Sequence, residues 1–169
     1  MNGIPQVLLF GGASCTPGTL TALSPATVAA DEPRGIAITP NGQYLYAISG
    51  SPFLNEVAQF SVGVNGQLTP LSPPSVSQEA VGFSDIAITP DGSYLYVPAI
   101  NSDQIFQWSI GVNGQLTPLS PPAVATPAAV SPARMGITSD GAYAYVTYQS
   151  NEQVAQFSIG VNGQLTPLS

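Results

Sequence analysis

Two arginines are the residues of this sequence whose chemistry is best suited to holding a ligand. Arg34 stands in DEPRGIAITP and Arg134 in SPARMGITSD, so both precede a similar β-rich phrase, and Asp85 opens a third copy of that phrase. A guanidinium binds a carboxylate or a phosphate through two parallel hydrogen bonds. The pattern therefore predicts a site for a small anionic or sugar ligand at Arg34, Arg134 and Asp85. The alternative is that each arginine pairs with a neighbouring carboxylate such as Glu32.

The rest of the composition removes most kinds of catalytic chemistry. The 169 residues include two arginines, no lysine, no histidine and nine acidic residues, for a net charge of −7. Ser-His-Asp triads, Cys-His pairs, lysine Schiff bases and histidine metal sites are therefore impossible within one chain. We predict no catalytic residue, no metal site and no cofactor, while a carboxylate-only acid-base pair stays open. The negative charge also excludes nucleic-acid binding through phosphate neutralisation.

An internal repeat indicates which elements position these residues. The phrase VNGQLTPLS occurs at residues 64–72, 112–120 and 161–169. It alternates with GIAITPNGQYLYAIS (35–49), DIAITPDGSYLYVPA (85–99) and RMGITSDGAYAYVTY (134–148). Residues 17–28, PGTLTALSPATV, are a diverged copy of the first phrase with its continuation. The period is about 48–50 residues, which is typical of a repeat protein built from small supersecondary units.

Each period contains two Asn-Gly or Asp-Gly pairs, which favour tight β-hairpins because both central residues adopt positive φ. The runs around them, such as IAIT, YLYAI, VAQFSV and LTPLS, predict four strands per period, and 17 prolines leave little room for helices. Four antiparallel strands at this spacing predict an all-β fold, a β-propeller of four-stranded blades. We expect one incomplete propeller over residues 1–169. It contains a half blade over 6–28 and full blades over 35–72, 85–120 and 134–169.

Aromatic residues recur at fixed positions of these blades. Tyrosines repeat at i and i+2 of the second strand, and one large aromatic residue recurs on the third strand. The residues are Tyr44, Tyr46, Tyr94, Tyr96, Tyr143 and Tyr145, and then Phe60, Trp108 and Phe157. Because i and i+2 share one face of a strand, we predict that these side chains pack between blades.

The repeat resembles that of the lactonase-like, or YVTN-type, β-propeller family, which includes 6-phosphogluconolactonase-like proteins. The resemblance lies in ITPDGSYLYV, the following strand QVAQFSIG, and NGQLTPL. The end of the second strand departs from the family motif and reads YAIS, YVPA and YVTY. Relatives act on a sugar lactone and use histidine, arginine and glutamate at the central channel. This chain has no histidine to match that pattern.

For function, these observations favour a non-catalytic propeller that acts as a binding or assembly module. The alternative is a lactonase-like sugar-lactone hydrolase whose catalytic residues lie outside this chain. We expect the exposed blade faces to be covered by self-association in a homo-oligomer or by additional blades. The sequence contains no run of about 20 apolar residues, so we predict no membrane insertion. The low charge and uncharged polar exterior favour an extracellular or cell-surface location, although the sequence shows no convincing signal peptide.

Overall fold

The computed structural model describes residues 22–30, 32–49, 55–79, 82–127, 131–149 and 152–168. These residues form three four-stranded antiparallel sheets, whose strands follow the order of the chain. The first blade contains β1 (Pro33–Ile38), β2 (Tyr44–Ser49), β3 (Glu56–Val62) and β4 (Leu68–Ser77). The second contains β5 (Ala87–Ile88), β6 (Tyr94–Ala99), β7 (Gln104–Ile110) and β8 (Leu116–Ala125). The third contains β9 (Pro132–Ile137), β10 (Tyr143–Tyr148), β11 (Val154–Ile159) and β12 (Leu165–Pro167).

The all-β propeller architecture predicted from the sequence is confirmed by these three blades. No stretch within the described residues is a helix that is long and apolar enough to cross a membrane. The predicted half blade over residues 6–28 lies mostly outside the described residues, and residues 22–30 contain no strand. Ser24 nevertheless accepts a hydrogen bond from Gln67 through its carbonyl, as Ser72 accepts one from Gln115. Ser24 therefore makes the same contact with the first blade that Ser72, in the fourth strand of the first blade, makes with the second blade.

The first two strands of each blade are joined by a turn that an Asx side chain organises. In the first blade, the Thr39 hydroxyl donates to Asn41 Oδ1 over 2.7 Å, and the Gln43 N–H donates to the same oxygen over 3.0 Å. Gly42 follows with φ of 71°, a conformation that glycine adopts without steric cost. Asp91 and Asp140 accept the equivalent bonds in the other blades. Hairpins thus form where the Asx-Gly pairs predicted them, but the expected positive φ at both central residues is wrong. Only the glycine of each pair has positive φ, and the loop between β1 and β2 spans residues 39–43.

The fourth strand is longer than the sequence predicted. The predicted blades end at residues 72 and 120, whereas β4 continues to Ser77 and β8 to Ala125. Both strands lie at the outer edge of their sheets, and a register shift separates their two halves. An edge strand tolerates proline because its outward side needs no ladder donor. The Ser-Pro-Pro sequence therefore does not end the strand.

The hydrophobic core lies between the blades. One cluster joins the first two blades, with Tyr46, Ile48, Val57, Phe83, Ile86, Leu95, Val97, Ala99, Phe106, Trp108 and Leu116. Another joins the second and third blades, with Tyr96, Ile105, Ala144, Val146, Tyr148, Ala155, Phe157 and Leu165. The predicted packing between blades is confirmed for Tyr46, Tyr96, Trp108 and Phe157, and Tyr44 and Tyr94 pack against the same clusters. It is wrong for Tyr143 and Tyr145, which are 42% and 41% exposed.

Repeated hydrogen bonds accompany this packing. The Tyr46 hydroxyl donates to Gly114 O over 2.6 Å, and the Leu116 N–H donates to Gln59 Oε1 over 2.7 Å. The second interface repeats both bonds with Tyr96, Gly163, Leu165 and Gln107, at the same 2.6 and 2.7 Å. Burial, with a smaller contribution from a neighbouring tyrosine, raises the pKa of Tyr46 and Tyr96 far above the ordinary value. Both hydroxyls therefore remain protonated donors at neutral pH.

Candidate ligand-binding site

The three predicted site residues lie where the first strands of the blades begin. Strands β1, β5 and β9 are neighbours, and Arg34 and Arg134 lie in β1 and β9. Asp85 precedes β5 by two residues. Since each first strand runs from this end to its Asx turn, the site and the Asx turns lie at opposite ends of the blades.

One pocket of about 270 Å³ brings the two arginines together. It is lined by Arg34, Phe83, Ser84, Ile100, Ala133, Arg134 and Gln149. Residues from all three blades therefore contribute to one concave surface. The sequence predicted both arginines before the first strands, whereas β1 and β9 begin earlier and include them. The structure adds that both line the same pocket.

Arg134 is held by two acceptors from the second blade. Its Nη1 donates to Ser84 O over 3.2 Å and lies 3.9 Å from Asp85 Oδ1, while 74% of its side chain stays exposed. This contact is the only ion pair between described side chains. The alternative prediction, that each arginine pairs with a neighbouring carboxylate, thus holds in part for Arg134. Its partner is Asp85 rather than Glu32. Arg34 is exposed and forms no ion pair with any carboxylate that the structure describes.

Asp85 joins two blades through its other oxygen. Its Oδ2 accepts a hydrogen bond from the Met135 N–H over 2.8 Å, which fixes the start of β9 against the second blade. The Asp85 carboxylate therefore interacts with both the Met135 N–H and Arg134, and this arrangement orients the Arg134 guanidinium. Its predicted role in holding a ligand stays a prediction, as do those of Arg34 and Arg134.

Ser84 is a site residue that the sequence reasoning missed. Its hydroxyl lies 3.0 Å from Pro98 O and 2.9 Å from Pro132 O, so it links the second blade to the start of β9. Its carbonyl is the acceptor for Arg134. One signal in the sequence could have found it, because Ser84 stands seven residues before Asp91, as Arg34 stands seven before Asn41.

A second pocket, of about 290 Å³, contains Asp91 and Asp140 at the opposite end of the blades. Burial acts to raise the pKa of Asp91, but hydrogen bonds from Thr89 and Ser93 outweigh it and lower the pKa. The pKa of Asp140 is lowered by hydrogen bonds from the Thr138 hydroxyl and the Ala142 N–H. These bonds agree with a structural role in the turns. Among the described residues, no group of three or more His, Cys, Asp or Glu side chains is placed to hold a metal ion.

Comparison with known proteins agrees with the architecture. A family model described as Lactonase, 7-bladed beta-propeller matches residues 33–169. The chain is similar to the periplasmic gluconolactonase of Pseudomonas aeruginosa, with 27% identity over 83% of this chain and 42% of that one, and a TM-score of 0.68. A putative 6-phosphogluconolactonase of Bacteroides fragilis is 25% identical over 88% of this chain and 42% of that one, with a TM-score of 0.74.

A protein of Lactobacillus plantarum is also 25% identical, over 79% of this chain and 39% of that one, with a TM-score of 0.64. The chain thus spans about two fifths of the length of these solved structures. None of the curated proteins compared with the chain matches it.

Proposed function

Because the chain belongs to the lactonase family of seven-bladed β-propellers, we propose that its three blades bind a sugar lactone, or the sugar acid formed from it, in the pocket between Arg34 and Arg134. The observation that carries the proposal is the convergence of the two arginines of an otherwise acidic sequence on one pocket. Two relatives are named for gluconolactone and 6-phosphogluconolactone. Family membership thus favours the sugar-lactone interpretation of the sequence.

The chemistry of lactone hydrolysis explains why arginines suit such a pocket. Water adds to the ester carbonyl carbon, and the bond from that carbon to the ring oxygen breaks. The ring oxygen takes one proton of the water and becomes a hydroxyl group, and the other proton is released as the carboxylate forms. Negative charge develops first on the carbonyl oxygen and then on the carboxylate, and guanidinium groups stabilise both. In our proposal Arg134, oriented by Ser84 and Asp85, binds these oxygens together with Arg34.

We assign binding, rather than bond breaking, to these three blades. The sequence contains no histidine, and the Asp85 carboxylate already accepts the Met135 N–H. The base that activates water is therefore proposed to belong to another part of a complete ring. Binding without any hydrolysis is the second candidate function, and the lack of histidine favours it.

Titration calorimetry with gluconate and 6-phosphogluconate tests the binding site. Arg34→Gln and Arg134→Gln should each weaken binding about 10-fold or more, because each removes a charge-assisted hydrogen bond. Gln43→Glu is the matched control: it changes the net charge by the same amount, on an exposed turn at the opposite end of the blades. It should leave the affinity unchanged. Equal affinity of all four proteins would overturn the proposal.

A rate measurement separates the two candidate functions. If the 169-residue chain only binds, the hydrolysis rate of a sugar lactone should equal the uncatalysed rate. Turnover above that rate, abolished by Arg134→Gln, would show that the chain itself supplies the hydrolytic groups.

We also propose that the protein works outside the cytoplasm. The Pseudomonas aeruginosa relative is named as periplasmic, and only 7% of the residues of this chain are charged. Fractionation of the producing cells, followed by immunoblotting, should place the protein outside the cytoplasmic fraction; recovery in that fraction would contradict this location.

A further inference from the structure

The Asn-Gly pairs of the sequence have the residue types of spontaneous deamidation sites. They are Asn41-Gly42, Asn65-Gly66, Asn113-Gly114 and Asn162-Gly163. Asparagine is chemically labile, and a following glycine has no side chain to shield its backbone nitrogen. In the reaction this nitrogen attacks the side-chain carbonyl carbon of the asparagine and closes a succinimide ring. The pairs at Asn113 and Asn162 lie where one blade contacts the next.

The asparagine and the glycine of these two pairs have opposite environments. Asn113 and Asn162 are exposed, whereas Gly114 and Gly163 are buried. Water can therefore reach the side-chain amide that would leave. The glycine nitrogen is not free to react, because each glycine N–H donates over 2.8 Å to the carbonyl of the glycine three residues earlier.

Two tyrosines of the first blade hold the backbone on both sides of Asn113. We call Tyr44 and Tyr46 the first tyrosine clamp. The Tyr44 hydroxyl donates to Val112 O over 3.0 Å, and the Tyr46 hydroxyl donates to Gly114 O over 2.6 Å. The Tyr44 ring lies so close to Gly114 that a Cβ there would overlap it. The peptide between Asn113 and Gly114 therefore cannot turn without breaking contacts with the first blade.

The interface between the second and third blades repeats this arrangement around Asn162. We call Tyr94 and Tyr96 the second tyrosine clamp. Their hydroxyls donate to Val161 O over 3.2 Å and to Gly163 O over 2.6 Å, and a Cβ at Gly163 would overlap the Tyr94 ring. Both asparagines stand in the same sequence, GVNGQLTPLS, so their intrinsic reactivity is the same. A difference between their rates must therefore come from the folded structure.

We propose that Asn113 and Asn162 are deamidation sites controlled by the neighbouring blade, which protects each asparagine as long as its tyrosine clamp is closed. Attack requires the nitrogen and the carbon to align at about 3–3.5 Å. It also requires the nitrogen to lose the proton that its hydrogen bond holds. Opening of the clamp releases both restraints. This proposal does not depend on the ligand of the arginine pocket.

The reaction consumes water and releases ammonia. At the first site, Gly114 N loses its proton to a base and bonds to Asn113 Cγ, and Nδ2 takes up a proton and leaves as ammonia. Water then opens the succinimide ring. Breaking the bond from nitrogen to Cγ gives aspartate, whereas breaking the bond from nitrogen to the backbone carbonyl carbon gives isoaspartate. Both products add a negative charge, and isoaspartate also lengthens the backbone of the turn, so the clamp closes less readily afterwards.

Incubation of the 169-residue chain in mildly alkaline buffer, followed by peptide mass spectrometry with fragment-ion assignment, tests the proposal. In the folded wild type, both asparagines should convert about 10-fold or more slowly than in the urea-unfolded chain. Tyr44→Ala should raise the rate at Asn113 about 10-fold or more and leave the rate at Asn162 unchanged. Tyr94→Ala should have the opposite effect. A general loss of stability would instead raise both rates.

Tyr143→Ala is the matched control, because it removes the same side chain from the equivalent strand position of the third blade and leaves both clamps in place. It should keep the wild-type rates at both asparagines. Tyr44→Phe keeps the ring and loses only the hydroxyl bond, so it serves where the alanine variant unfolds. It should raise the ratio of the Asn113 rate to the Asn162 rate about 2-fold or more. An unchanged ratio in Tyr44→Phe, or a folded wild type that reacts as fast as the unfolded chain, would overturn the proposal.

Discussion

The carboxylates of Asp91 and Asp140 act at the scale of single residues, as acceptors that close hairpin turns. Their hydrogen bonds favour the ionised form and lower both pKa values below the ordinary value. A group whose pKa is lower in the folded state stabilises the fold above its unfolded pKa of about 3.9. That stabilisation is lost as the pH falls from about 4 through the folded pKa. Acid should therefore weaken these two turns, while the turn of Asn41 does not titrate.

Asp91→Asn combined with Asp140→Asn tests this effect, because asparagine already forms the equivalent turn at residue 41. The free energy of unfolding of the wild type should fall more steeply than that of the double variant between about pH 4 and pH 2.5. Urea denaturation at pH 7, 4 and 2.5 measures the difference. Parallel pH profiles for the two proteins would show that the carboxylates contribute nothing specific.

The site residues show what can be predicted residue by residue. Arg34 and Arg134 could be assigned to the same end of their blades because the repeat fixes their places before a first strand. Their common pocket depends on how the blades pack, which no local pattern encodes. Ser84 was missed because an uncharged serine in a loop carries no chemical signal of its own. Its role arises from contacts with Pro98 and Pro132, on strands that follow it in the chain.

At the scale of strands and turns, the local sequence predicted the structure where the residue types restrict the backbone to few conformations. The Asx-Gly pairs and the period predicted the hairpins because positive φ at glycine is a local requirement. The predicted blades end at residues 72 and 120, whereas β4 and β8 continue through the Ser-Pro-Pro sequence. What lengthens these strands is their position at the sheet edge and the pairing of Val76 with Val57. Both properties belong to the assembled sheet.

The turn between the third and fourth strands also contacts the neighbouring blade. Gly66 and Gly114 occupy the same position of this turn, so comparing them separates the backbone requirement of the turn from its contact with another blade. Gly66 and Gly114 have nearly the same φ, 79° and 78°. A Cβ at Gly66 would lie 3.3 Å from Leu23 Cδ1, whereas a Cβ at Gly114 would overlap the ring of Tyr44 in the first blade. The first substitution therefore introduces backbone strain and a close contact that a small shift of the Leu23 side chain relieves, whereas the second adds a clash between blades.

Gly66→Ala should cost about 1 kcal/mol of unfolding free energy, because alanine disfavours positive φ. Gly114→Ala should cost about 1–3 kcal/mol more, because Tyr44 and its contacts must shift. Urea denaturation of the dilute protein measures both values, and the difference between them isolates the interface. Equal losses would show that Tyr44 moves aside freely and that this turn does not determine how the blades pack.

For the whole molecule, the three blades form a linear array in which stability depends on neighbours. In such arrays the stability of each repeat is the sum of an intrinsic contribution and the interfaces on either side. The second blade is packed on both faces, whereas Tyr145 and Val154 of the third blade are 41% and 53% exposed. Local opening should therefore be easier in β10 and β11 than in β6 and β7.

Hydrogen exchange of the dilute protein measures this difference at matched positions. The backbone amides of Tyr145 and Gln156 should exchange about 10-fold or more faster than those of Tyr96 and Gln107, since one missing interface removes at least about 1.4 kcal/mol of local stability. The compared residues have the same type, strand position and hydrogen-bonding register, so intrinsic exchange rates largely cancel. Equal exchange in both blades of the dilute protein would mean that the array unfolds only as one unit, and that the open face does not weaken the blade beneath it.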